Sequence, residues 1–68
     1  MKNHEPRNQV FYGPKGKILV ETMEYFPNQY TFYIKLDGVD IFSTIASGDF
    51  DTCFRMVKVR LKDEGYIF

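Results

Sequence analysis

The amino-acid sequence predicts an α+β fold, a three- or four-stranded antiparallel meander with one amphipathic helix packed on one face. Three observations predict it. Asp37-Gly38 joins two segments of alternating polarity and supplies the two positive-φ positions of a type I′ hairpin turn. Gly13-Pro14-Lys15-Gly16 is a second turn signal between two earlier strand-like segments. After Gly48, apolar residues recur at helical spacing, with Phe50, Cys53, Phe54, Val57 and Leu61 at i, i+3, i+4, i+7 and i+11.

Residues 1–8 are polar, hold Pro6 and show no periodicity, which predicts a flexible N-terminal arm ahead of a single domain over 9–68. Residues 9–12 read as a short edge strand, and 17–26 as the first long strand. The alternation of that long strand is broken by Ile18-Leu19-Val20, which is apolar on both faces. Pro27-Asn28-Gln29 ends it. Over 30–36 the alternation is clean: Tyr30, Phe32, Ile34 and Leu36 face the core, and Thr31, Tyr33 and Lys35 face away.

A two-residue loop at Asp37-Gly38 then pairs Leu36 with Val39, Lys35 with Asp40, Ile34 with Ile41, Tyr33 with Phe42, Phe32 with Ser43, Thr31 with Thr44 and Tyr30 with Ile45. One face of this hairpin is apolar, while the other carries an opposite-charge pair and an aromatic pair. In the helix, Asp49 is the expected N-cap and Asp51 complements the dipole in the first turn. Arg55, Lys58, Arg60 and Lys62 crowd the second half, and Gly65 is a C′ terminator. Tyr66-Ile67-Phe68 is expected to fold back in a Schellman-type contact or to add a very short strand.

At 68 residues the chain is near the lower size limit of an independent domain, where only about 60% of the unfolded surface is buried. A hydrophobic share of 44%, with seven Phe and five Tyr, argues for a folded core rather than disorder. Nine basic and nine acidic residues cancel. The balance is uneven, at +3 over 1–17, −5 over 18–54 and +2 over 55–68, but a general nucleic-acid or membrane binder needs a net basic face. The N-terminus lacks the apolar stretch of a secretory signal, and no segment approaches the roughly 20 apolar residues of a membrane span. The expectation is a cytoplasmic protein without membrane attachment.

Nothing in the sequence assembles catalytic chemistry. Cys53 is the single cysteine and lies on the apolar stripe, as a small buried hydrophobe does. His4 is the single histidine, so no metal-ligating cluster forms, and no cofactor is expected. No serine, histidine and acid set and no phosphate-cradling glycine loop is present.

The informative residues are therefore on free surfaces. Steps of about 100° around the helix place Thr52, Met56 and Val59 opposite the core stripe. Arg55, Lys58 and Lys62 lie beside them. Arg55, Met56, Lys58, Val59 and Lys62 are accordingly the candidate partner-binding residues, apolar anchors rimmed by charge. Tyr33 and Phe42 form a candidate second surface on the outer sheet face. Its form suits base stacking, yet Glu21, Glu24, Asp37 and Asp40 flank it and repel phosphate.

The order of strands and then helix, with Gly48 ahead of Asp49-Phe50-Asp51, resembles the N-terminal half of HicB-type antitoxins. The order alone also resembles the β-β-β-α portion of double-stranded-RNA-binding domains, which present lysines where this chain has Asp49 and Asp51. The residues Asp49-Phe50-Asp51-Thr52-Cys53, Arg55, Arg60-Leu61 and Asp63-Glu64-Gly65-Tyr66 are similar to uncharacterised small bacterial or phage strand-strand-strand-helix domains. The expected function is a non-enzymatic protein-interaction module, such as an accessory protein, inhibitor, immunity factor or antitoxin that masks a protein partner. One alternative is a nucleic-acid binder using the helix cations, Lys2, Arg7, Lys15 and Lys17. The other is a two-fold homodimer with a structural role that buries Met56 and Val59.

Overall fold

Four antiparallel strands and one helix make up the computed structural model, which describes residues 7–68. The elements follow in the order β1 (Arg7–Gly13), β2 (Gly16–Phe26), β3 (Gln29–Leu36), β4 (Val39–Ser47) and α1 (Phe50–Asp63). The strands form one sheet in sequence order, β1-β2-β3-β4. The fold is thus α+β, a four-stranded meander with a C-terminal helix.

Each hairpin is closed by residues suited to the backbone they adopt. Asp37 and Gly38 hold φ of 49° and 85°, the double positive φ of a type I′ turn. The same aspartate secures the neighbouring hairpin: its N–H donates to the Lys17 carbonyl at 2.9 Å, and its carboxylate accepts from the Lys17 N–H at 3.0 Å. The carboxylate lies so close over Gly16 that a Cβ there would collide with it. Between β2 and β3, Pro27 restricts φ and Asn28 takes the positive value of 63°.

Two expectations are corrected. Arg7 and Asn8 do not belong to an arm, because β1 begins at Arg7, with Arg7 opposite Thr22 and Asn8 opposite Glu21. The Arg7 guanidinium lies 4.4 Å from the centroid of Phe50, which gives this residue a packing reason to join the sheet. The rest of the expected arm, including Lys2 and His4, lies outside the described residues.

The second correction concerns the register of β4. Leu36 faces Val39 and Lys35 faces Asp40, but a bulge then sets Ile34 opposite Phe42, Tyr33 opposite Ser43, Phe32 opposite Thr44 and Thr31 opposite Ile45. Ile41 is the extra residue. The shift exchanges the faces of the strand. Phe42, Thr44 and Ala46 turn toward the helix, and Ile45 turns outward.

The core lies between the sheet and α1. Ile18, Val20, Phe32, Ile34, Cys53 and Leu61 are fully buried, with Tyr30, Val57 and Ile67 nearly so. Phe50 and Phe54 stack at 5.4 Å between centroids, and both lie 6.3 Å from Phe32, so three rings bridge the two layers. Phe50 and Phe54 remain partly exposed and pack against the buried core.

Both ends of α1 are capped. The Asp49 carboxylate accepts from the Thr52 N–H at 3.1 Å and from its hydroxyl at 2.8 Å. These bonds hold the Asp49 carboxyl below its ordinary pKa. At the other end Gly65 has φ of 81°. The Tyr66 N–H reaches the Leu61 carbonyl at 2.8 Å and the Gly65 N–H reaches that of Lys62 at 3.1 Å, the paired bonds of a Schellman motif. The reversal returns Ile67 to the core beside Gly13, where a Cβ would run into the Tyr66 carbonyl.

Candidate interaction surfaces

The outward side of α1 and the helix-free side of the sheet carry most of the exposed large apolar side chains. On α1, Met56 is 62% exposed and Val59 52%, although both lie in the middle of a packed helix. They share a shallow depression with Arg55, Arg60, Asp63 and Glu64. Arg60 is fixed on two sides: its Nε donates to Glu64 Oε2 at 3.0 Å, and its guanidinium lies 3.9 Å from the centroid of Phe42. The rim thus presents both signs of charge.

The residues singled out in the sequence separate here. Arg55, Met56 and Val59 come together in the depression, whereas the Lys58 ammonium leans over Phe54 at 5.3 Å and Lys62 is not among the lining side chains. Arg60, Asp63 and Glu64 complete the rim and were not anticipated. The i, i+4 spacing that links Met56 to Arg60, Val59 to Asp63 and Arg60 to Glu64 is the signal that points to them. Below the depression, Met56 and Arg60 also line a small cleft against Thr44, Ile45 and Ala46 of β4.

Tyr33 and Phe42 do not form one surface. The β4 bulge places Phe42 under Arg60 on the helix side of the sheet, and Tyr33 stays on the outer side opposite Ser43. Tyr33 has a different partner, the hydroxyl of Tyr25 at 3.0 Å, and this hydrogen bond raises the Tyr33 pKa above its ordinary value. Tyr25, Phe26, Thr31, Tyr33, Ser43 and Ile45 line a groove on that side. Ile45 is 78% exposed. Further along the same side, Val10 pairs with Leu19, and Leu19 with Lys35. Lys35 in turn forms an ion pair with Glu21 at 3.5 Å.

Cys53 is fully buried beneath α1, and its desolvation raises the thiol pKa, which disfavours the thiolate. Among the described residues no three His, Cys, Asp or Glu side chains converge as metal ligands, and no helix is long and apolar enough to cross a membrane. Several cations rest against rings: besides Arg7, Lys58 and Arg60, the Lys15 ammonium lies 4.8 Å from the Tyr66 centroid. Comparisons of the chain with protein-family models, with curated proteins and with solved structures returned no match.

Proposed function

We propose that this chain is a non-enzymatic protein-interaction module that masks a partner protein with the outward side of α1. The observation that carries the reading is the exposed Met56 and Val59 pair, set in a depression rimmed by Arg55, Arg60, Asp63 and Glu64. An apolar centre inside a polar rim is the anatomy of a protein interface. The mixed charge favours a partner patch of matching pattern, with the apolar anchors giving affinity and the rim giving orientation and association rate. The nucleic-acid alternative draws less support, since Arg7, Lys15, Lys58 and Arg60 are each applied to an aromatic ring.

Met56→Asp tests the reading. The expected result is an unchanged circular dichroism spectrum together with loss of the proteins that the immobilised wild-type chain retains from a host lysate. Retention of the same proteins by the folded variant would overturn the helix patch as the binding site.

A further inference from the structure

Opposite α1, no second layer covers the sheet among the described residues, yet its surface is not that of a solvated strand face. Among the described residues, six of the ten exposed large apolar side chains fall on this side, Val10, Tyr12, Phe26, Tyr33 and Ile45 by strand register and Tyr25 by its hydrogen bond to Tyr33. Thr31, which also points this way, is only 8% exposed because Met23 and Ile45 flank it. An antiparallel sheet with one solvated face alternates hydrophobic-in with polar-out. Here the outer face adds a group of exposed apolar side chains, Tyr25, Phe26, Tyr33 and Ile45, to its polar ones.

We infer that two copies of the chain pack face to face through this helix-free side, forming a helix-sheet-sheet-helix dimer with both α1 helices outermost. Three arguments select a second copy as the occupant. The first is area: the molecule extends 40 Å by 20 Å along its two longer axes, so a contact that used the whole of that outline would reach on the order of 800 Å², what each partner contributes to a stable interface of standard size. The second is charge. The side carries Lys17 and Lys35 against Glu21 and Asp40, and two of these, Lys35 and Glu21, already pair with each other. A formally neutral surface neither attracts a phosphate backbone nor repels its own copy. The third is composition, because homodimer interfaces are more apolar than those between transient partners, and among the described residues this side carries six exposed large apolar side chains against two, Met56 and Val59, on the outward side of α1.

The two copies related by a two-fold axis close upon themselves, so the contact produces a dimer and not a fibre. Their sheets stack about 10 Å apart with strands crossing near 30°. The inference does not rest on the helix patch, which the dimer leaves open on both sides.

Sedimentation of the full chain over a wide concentration range, at low and moderate salt, tests the dimer. The expected result is twice the chain mass at the upper concentrations with little salt dependence. Ile45→Lys and, separately, Val10→Lys should each weaken association by roughly tenfold or more while the circular dichroism spectrum is kept. Met56→Asp should leave the mass unchanged. A chain that stays monomeric throughout, or a dimer that Met56→Asp dissolves and the two lysine variants do not, would overturn the inference.

Discussion

Thr22 is the residue whose chemistry fits its surroundings least. It is 1% exposed on the helix-facing side of β2, opposite Phe32, and its hydroxyl has no hydrogen-bond partner among the described residues. A buried hydroxyl without a partner costs about 1–3 kcal/mol by mutational measures. Valine has nearly the same shape and keeps the β-branch that suits a strand. Thr22→Val is therefore expected to stabilise the domain by about 1 kcal/mol, read as a higher urea midpoint at an unchanged slope. A lower midpoint would mean that the hydroxyl has a partner in solution.

Cys53 behaves in the opposite way. Its burial agrees with its apolar chemistry, so folded protein should resist alkylation at neutral pH and react only as it unfolds.

At the scale of elements, the close approach of the C-terminal tail to β1 gives a sharp test. Gly13 is needed for space and not for a left-handed backbone, since a Cβ would meet the Tyr66 carbonyl and the Cα of Ile67. Gly13→Ala should displace the tail, lift Ile67 out of the core and lower stability, with α1 still formed in the far-ultraviolet spectrum. Asp49 offers a test at the other end of the helix. Its folded pKa is depressed by the Thr52 hydrogen bonds, so its contribution is present above the unfolded carboxyl value and disappears as pH falls through the folded one. Asp49→Ala should accordingly melt lower than wild type at neutral pH, and the two curves should converge on acidification.

These elements were legible in the sequence to different degrees. Asp37-Gly38, the period-2 alternation of β3 and the stripe on α1 each have a local cause, and the structure contains all three. The Schellman return after Gly65 is one of the two endings the sequence offered, the other being a very short strand. The β4 bulge was not anticipated, because Ile41, Phe42 and Ile45 are all apolar and the alternation of the strand fits either register. The helix decides between them. With Thr44 and Ala46 turned inward, a small cleft separates them from Cys53 and Val57 of α1, while the large Phe42 sits beneath Arg60 and covers the sheet there. That choice exposes Ile45 and separates Phe42 from Tyr33. The apolar outer face did have a sequence signal, the unbroken Ile18-Leu19-Val20 run, whose meaning depends on the finished sheet.

At the scale of the whole molecule, the two faces of one sheet have different duties, and a pair of isoleucines separates them. Ile34 on β3 is 1% exposed and packs in the core beneath α1, whereas Ile45 on β4 is 78% exposed on the other side. Removing three carbons from a buried isoleucine costs about 2–5 kcal/mol. For so small a domain, with a single core to draw on, that is a large part of its entire stability. Ile34→Ala should consequently unfold the chain or lower its melting temperature steeply, with secondary structure and tyrosine environment lost together in one transition. Ile45→Lys should leave the fold of the isolated chain intact, because the described residues leave most of the side chain uncovered. If the second copy covers it, the lysine variant should also shift to higher protein concentration the dependence of melting temperature on concentration that a dimer imposes on the wild type. Equal destabilisation by the two substitutions in dilute solution would contradict the bulged register, since only an unbulged β4 places both isoleucines in the core.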